Sequence, residues 1–329
     1  MKRRKFISKT LKATAGFSFL GLTNCGEISK ARKPLENLSS KSSQELFKIS
    51  LAQWSIHKLI QSGKISAYEF AALAKKWGFQ GLEYVSQLYG VTESSSQSKE
   101  LSRFIKLSNE KSKQYDLDNL LIMIDEEGDL SVKSKKARKD AVQNHLKWID
   151  AASEMNCHSI RINLFGVNDP VSWADFSKES LIALSEYAAP LNINILVENH
   201  GYLSSNASLL MKVINDVNLP NCGTLPDFGN FCLGRINGER WDTDCLSEYN
   251  KYQGIEELLP LAFAVSAKSY DFDSNGEETT IDFKRMLQMV KNSGYKGYIG
   301  VEYEGDRLSE EEGTLATKNL IIETIKKLS

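Results

Sequence analysis

Eight short apolar runs, each followed by a stretch with helical spacing, recur between residue 47 and the end of the chain, and this alternation limits the fold most. The runs are 47–53 (FKISLAQ), 81–85 (GLEYV), 120–124 (LLIMI), 159–163 (SIRIN), 193–198 (INILVE), 223–227 (GTLPD), 264–268 and 298–302 (YIGVE). The stretches between and after them, 67–77, 99–115, 137–155, 178–189, 207–217, 255–262, 281–291 and 315–327, read as helices. In the third of these, Ala141, Val142, His145, Trp148, Ile149 and Ala152 recur at intervals of three and four, the spacing of one buried helix face. The first, third, fourth and fifth runs are nearly all apolar, as strands covered on both faces must be. Eight strand-then-helix units predict an α/β chain, a single closed (β/α)8 TIM barrel over residues 47–329. A doubly wound open sheet is the competing arrangement. It calls for a glycine-rich phosphate turn after an early strand, and the sequence has none. The segment 228–254 is too long for an ordinary strand-to-helix turn and reads as a lid or side wall of the site.

The chain before the barrel reads as an address. Residues 1–24 carry six basic side chains, Lys2, Arg3, Arg4, Lys5, Lys9 and Lys12, and no acidic ones. The Arg3-Arg4-Lys5-Phe6 pattern precedes a short apolar stretch, 13–22, which is the layout of a twin-arginine export signal over residues 1–25. Leu22-Thr23-Asn24-Cys25 resembles a lipobox, with Asn24 in place of the usual small residue. The expectation is therefore an exported, periplasmic protein, lipid-anchored at Cys25 through a Ser- and Lys-rich tether, 26–46. Removing six basic residues from the chain's 41 leaves 35 against 42 acidic ones, so the remaining chain is net acidic. That balance gives no electrostatic footing for nucleic acid. No apolar run reaches the length of a membrane span. Cys157, Cys222, Cys232 and Cys245 contain no C-x-x-C pair and are expected as buried free thiols. A disulfide among the last three is the alternative that an oxidising compartment allows.

In a barrel of this kind chemistry sits at the C-terminal ends of the strands. The residues there are Gln53 and His57, Glu83, Asp125 and Glu126, Asn163, Glu198 and His200, Asp227, Ser266 and Lys268, and Glu302 and Glu304. Carboxylates on adjacent strand ends point at one axial volume, where they repel one another unless a cation neutralises them. Oxygen ligands suit a hard or borderline divalent ion, Mn2+ or Mg2+.

The runs Leu196-Val-Glu-Asn-His-Gly201, Gly223-Thr-Leu-Pro-Asp-Phe-Gly-Asn-Phe231, Val265-Ser-Ala-Lys-Ser-Tyr-Asp-Phe272 and Gly300-Val-Glu-Tyr-Glu-Gly305 resemble the xylose-isomerase-like sugar isomerases and epimerases. The resemblance runs from about residue 47 to the C-terminus and takes in Trp54, Gly81-Leu-Glu-Tyr-Val85 and Gly294-Tyr-Lys-Gly297. It implies one divalent metal held by Glu198, Asp227 and Glu302 together with a histidine on the seventh strand. That last position holds Ser266. Serine is a far poorer ligand than imidazole, so the ion is held by three carboxylates and water, is completed by His200, or is absent. The implied chemistry is proton transfer next to a carbonyl, with Glu198 and Glu302 as the acid/base pair and a metal stabilising the enediolate.

The remaining candidates are substrate contacts. His200 lies two residues beyond Glu198 and shares its face, as Lys268 shares that of Ser266. Lys268 could polarise a carbonyl or hold an anion. Glu83 could bind a sugar hydroxyl or pair with a lysine, His57 and Asn163 could line the pocket, and Trp54 could stack on a sugar face. His145, on an apolar helix face, and His158, at the opposite end of its strand, read as structural. Arg161 reads as the partner of a barrel carboxylate. The function expected is a metal-dependent isomerase or epimerase of an unphosphorylated sugar or keto-sugar. The alternatives are a sugar lyase or dehydratase and a non-catalytic periplasmic sugar-binding lipoprotein. A multi-zinc DNA-repair endonuclease needs more histidines than the four present, His57, His145, His158 and His200.

Overall fold

The structure is a computed structural model that describes residues 46–241 and 243–328. The expected signal over 1–25, with Cys25, and all of the tether but residue 46 lie outside these residues. Strands β1 (Lys48–Ala52), β2 (Gly81–Val85), β3 (Asp118–Met123), β4 (Ser159–Ile162), β5 (Asn194–Glu198) and β6 (Cys222–Leu225) pair in parallel, each with the next. A hairpin follows, β7 (Cys232–Arg235) with β8 (Cys245–Glu248), before β9 (Val265–Ser269) and β10 (Tyr298–Tyr303) return to the sheet, β10 beside β1.

The two ends of the sheet meet across a short seam. Thr224 bridges Ala262 and Asp227 bridges Ser266, both in parallel. Phe263 N donates to Thr224 O at 3.1 Å, Ser266 N to Pro226 O at 2.9 Å and Phe228 N to Ser266 O at 3.1 Å. Pro226 has no N–H to offer, and β6 ends at Leu225, two residues short of the expected end at Asp227. The barrel expected from the sequence is present and closed. β2 and β9 are buried along their whole length, as strands sandwiched between barrel interior and helices must be.

Several helices start earlier than the apolar pattern indicates, the last of them at Glu310 rather than 315. The helix after β4 runs Pro170–Ala188 rather than from 178, because Asp169 accepts a hydrogen bond from Ser172 N and Pro170 fills the first helical position. The helix before β9 runs Lys251–Leu258, capped by Asn250 accepting from Gln253 N. Helix faces dock on the sheet through large rings: Phe104 lies edge-on to both Tyr84 and Trp148, with centroids 5.7 Å apart in each case.

The 228–254 segment is the β7–β8 hairpin, and a disulfide joins Cys232 to Cys245 across it. This corrects the expectation of free thiols at these two positions. The antiparallel pairing brings two residues distant in sequence to a Cα separation of 5.8 Å, a normal span for the bond. Cys157 and Cys222 are buried and free. Among the described residues, no helix is long and apolar enough to cross a membrane.

Gly223 is the seam's weak point. A Cβ there would lie 2.5 Å from Leu261 O and from the Phe263 ring. Gly223→Ala should lower unfolding stability by about 1–3 kcal/mol, read from denaturant midpoints. A midpoint unchanged from wild type would show that the seam has slack.

Candidate active site

Strand alternation places the site residues. Within β9, Ser266 and Lys268 are two apart and share the inward face; Glu302 and Glu304 do the same at the end of β10. The register sets Glu302 beside Lys268. Lys268 Nζ donates to Glu302 Oε1 at 2.9 Å and to Glu304 Oε2 at 2.7 Å, and no part of Lys268 reaches solvent. Ser266 Oγ lies 2.6 Å from Asp227 Oδ2 and 3.1 Å from Glu302 Oε2. Asp227 Oδ1 accepts from the backbone N–H groups of Gly229 and Asn230, each at 2.8 Å.

On the other side of the axis, Arg161 of β4 holds two carboxylates. Its guanidinium donates to Asp125 Oδ1 at 2.6 Å, and its Nε sits 2.8 Å from Glu198 Oε2, out of line for a hydrogen bond. Asn230 Nδ2 donates to Glu198 Oε1 at 3.0 Å, and Asn163 Nδ2 to Asp125 Oδ1 at 2.7 Å. His200 Nδ1 is 2.7 Å from Asn163 Oδ1, so it carries the proton and donates. Trp54 Nε1 donates to Glu304 Oε1, and the Trp54 ring stacks on His57 at 4.0 Å.

Burial dominates the electrostatics. It pushes Glu198 up to about 7 against the pull of Arg161, and Asp227 up to about 8 against that of Lys268. It also pushes Glu83 up to about 8, against the Ser50 hydroxyl 2.5 Å away and, more weakly, Arg161. Burial brings His200 down to about 4, with Arg161 adding to the effect, so the ring is neutral at pH 7. Asp125 and Glu304 behave oppositely. Burial acts to raise them, but Arg161 beside the one and Lys268 beside the other hold both below the usual carboxylate range. Ser266 has one proton and two carboxylates within reach. A proton on Asp227 resolves this, with Asp227 donating to Ser266 and Ser266 to Glu302.

The expected metal ligands do come from neighbouring strand ends, but their donor set does not fit a divalent ion. Both oxygens of Glu198, Asp227 and Glu302 are engaged by protein groups: Asn230 and Arg161, backbone N–H and Ser266, Lys268 and Ser266. Among the described residues, no group of three or more His, Cys, Asp or Glu is arranged to hold a metal. An ion on Glu302 would share that carboxylate with the Lys268 ammonium, which is 2.9 Å from Oε1. Two positive charges on one buried carboxylate repel strongly where the dielectric is low. With Nδ1 donating to Asn163, His200 keeps a lone pair on Nε2, but among the described residues it is not grouped with these carboxylates in a way that would hold an ion.

Above this cluster opens a cavity of about 590 Å3, lined by Trp54, His57, Asp125, Arg161, Asn163, Phe165, His200, Trp241, Glu302 and Glu304 among others. Of the residues expected at the site, Trp54, His57, Asn163, His200 and Glu302 therefore face it. Glu198, Asp227 and Lys268 lie behind its floor, and Glu83 is buried in the barrel interior with Ser50. His145 is core, its Nδ1 against Ala141 O, and His158 contacts Ser159 at the far end of β4. Arg161 pairs with barrel carboxylates as expected. The sequence reading missed the side chains the hairpin supplies. Arg240 lies 4.2 Å over the Phe165 ring and pairs with Asp129, and Trp241 packs edge-on to Phe165 and beside His200. They sit inside the segment read as a lid, and a cation next to an aromatic ring in a polar loop was the available signal.

The chain belongs to the xylose isomerase-like TIM barrel family, whose model matches residues 71–324. Among solved structures it is similar to a D-tagatose 3-epimerase-like protein, at 17% identity over 85% of this chain and 97% of that one, TM-score 0.62. It is also similar to the 3-keto-D-glucoside 4-epimerase of E. coli, at 15% identity over 78% and 94%, TM-score 0.61. A third, the IOLI protein with a zinc atom bound, is 13% identical over 85% and 98%, TM-score 0.59. At such identities the likeness is one of fold. The C-glycoside deglycosidase alpha subunit of Arthrobacter globiformis is 37% identical over 54 residues, 16% of this chain. The match spans only 15% of that relative's length.

Glu83 gives the site a pH signature. Its folded pKa is raised, so the folded state keeps a proton that the unfolded state releases above its own, lower pKa. Stability from this group is full below about pH 4.5 and is lost as pH rises towards about 8. Glu83→Gln removes that loss. The difference in melting temperature between Glu83→Gln and wild type should shift in the variant's favour from pH 5 to pH 8. A difference independent of pH would show that Glu83 ionises normally.

Proposed function

We propose that this chain is an isomerase or epimerase of an unphosphorylated sugar or keto-sugar, acting by proton transfer next to a carbonyl. Glu302 and Glu198 are its acid/base pair. The observation that carries the reading is Glu302 at the floor of the cavity, with Glu198 two intervening strands away around the ring. Glu302 takes the proton from the carbon beside the carbonyl, and the electron pair moves onto the carbonyl oxygen. Arg161 on the cavity wall offers positive charge to that oxygen. Returned by Glu302 to the neighbouring carbon, the proton gives the isomer once the hydroxyl proton of that carbon has passed to the former carbonyl oxygen. Returned to the opposite face by Glu198, which needs the floor to open to it, a proton gives the epimer. A carboxyl raised to about 7 suits that exchange at neutral pH.

The cavity walls support a carbohydrate. Trp54 and Trp241 present aromatic faces, while Asn163, His200 and Asp125 present hydrogen-bonding groups. The unphosphorylated substrate follows from the proposed export, since the cavity lining carries as many cationic side chains, Lys58, Arg161, Arg235 and Arg240, as acidic ones. The first and second of the similar solved structures are named for sugar and keto-sugar epimerisation. We also propose that the protein is exported to the periplasm and lipid-anchored at Cys25. The Cys232–Cys245 disulfide, a bond at home in oxidising compartments, supports that placement.

A second reading, a sugar-binding protein without turnover, draws support from the engaged oxygens of Glu198 and Asp227. Incubation with keto-hexoses in D2O separates the two. The enzyme should wash deuterium into the carbon next to the carbonyl, and Glu302→Gln should cut that rate by about 10^2–10^4 while keeping sugar binding. Sugar binding with no wash-in in wild type would leave the binding protein standing instead.

A further inference from the structure

We propose that Lys268 and Arg161 take the place of a divalent ion, so that this barrel holds its acidic cluster together and binds carbohydrate without metal. The inference does not depend on turnover, since it concerns what neutralises the cluster. Lys268 is entirely enclosed, yet its ammonium has two carboxylate partners within 2.9 Å, Glu302 and Glu304. A buried lysine without such partners is strongly disfavoured, and this one has them on the strand next to its own. Arg161, buried but lining the cavity, reaches Asp125 and Glu198 on the opposite side. Between them the two cations contact four carboxyl groups.

Ser266 completes the substitution. It stands on β9 opposite Asp227, where the sequence resemblance puts a histidine ligand, and its short side chain lets the two carboxyls of Asp227 and Glu302 meet at one hydroxyl. An imidazole there would fill the space that the hydroxyl bridges. Two residues on, the same face of β9 delivers Lys268. One strand therefore removes a ligand and supplies a fixed charge.

The test uses the full chain, produced without a metal-affinity tag and dialysed against Mn2+, Mg2+ or Zn2+. Elemental analysis should find less than about 0.1 ion per chain, and neither EDTA nor 1 mM Mn2+ should move the melting temperature. About one bound ion per chain, with melting raised by that ion, overturns the proposal. Lys268→Met should melt well below wild type, with Mn2+ restoring part of the loss, and Lys268→Arg should stay close to wild type. Should Lys268→Met melt like wild type without added ion, the ammonium is not what neutralises the cluster, and the proposal again fails. If Lys268→Met does not fold, the wild-type ion content and the Lys268→Arg melting temperature still decide. Because no arm reads turnover, a failed deuterium exchange leaves this result intact, and an ion found in an active enzyme removes only this inference.

Discussion

Carboxylates can be buried at the mouth of a barrel only if positive charge or protons are buried with them. Asp125, Glu198, Asp227, Glu302 and Glu304 converge on one end of the barrel with Glu83 in the interior beneath them, and free anions at that density would drive one another's protonation or the opening of the fold. The structure meets the constraint in two ways. Lys268 and Arg161 hold Glu304 and Asp125 ionised, while burial leaves Glu83 and Asp227 inclined to keep protons. Everything else about the site follows from where those two cations stand.

The same constraint ties the site to the closure of the fold. The seam between β6 and β9 is made by residues that also belong to the cluster, because Asp227 bridges Ser266 through the backbone and meets its hydroxyl through the side chain. Opposite, Gly300 on β10 leaves the space that Glu83 fills: a Cβ there would lie 2.5 Å from the Glu83 carboxylate. Barrel closure and charge placement are thus one packing problem. The hairpin adds a third part. It sets Asn230 on Glu198 at one end and Trp241 at the cavity rim at the other, with the disulfide bracing the strands between.

The barrel was legible because its strands are short, apolar and evenly interleaved with amphipathic helices, a pattern few folds share. Helix starts were less legible where caps rather than apolar spacing set them. Asp169-Pro170 marks a start that the apolar count placed eight residues later, and the signal was in the cap chemistry. At the site, strand-end position puts Glu198, Asp227, Ser266, Lys268 and Glu302 at one end of the barrel. What position could not convey was which oxygen each cation takes. Lys268 was visible as a neighbour of Ser266, yet its two ion pairs depend on the β9–β10 register. The disulfide was hidden for a similar reason, since Cys232 and Cys245 become neighbours only once the hairpin folds.

The central claim is that an ammonium, rather than a metal, sits among these carboxylates. Crystals grown with 10 mM MnCl2 and measured at the manganese absorption edge address it at atomic level. The account predicts no anomalous density among Glu198, Asp227 and Glu302, with Lys268 Nζ within hydrogen-bonding reach of Glu302 and Glu304. An anomalous peak bridging Asp227 and Glu302, with the lysine displaced from it, would contradict the account.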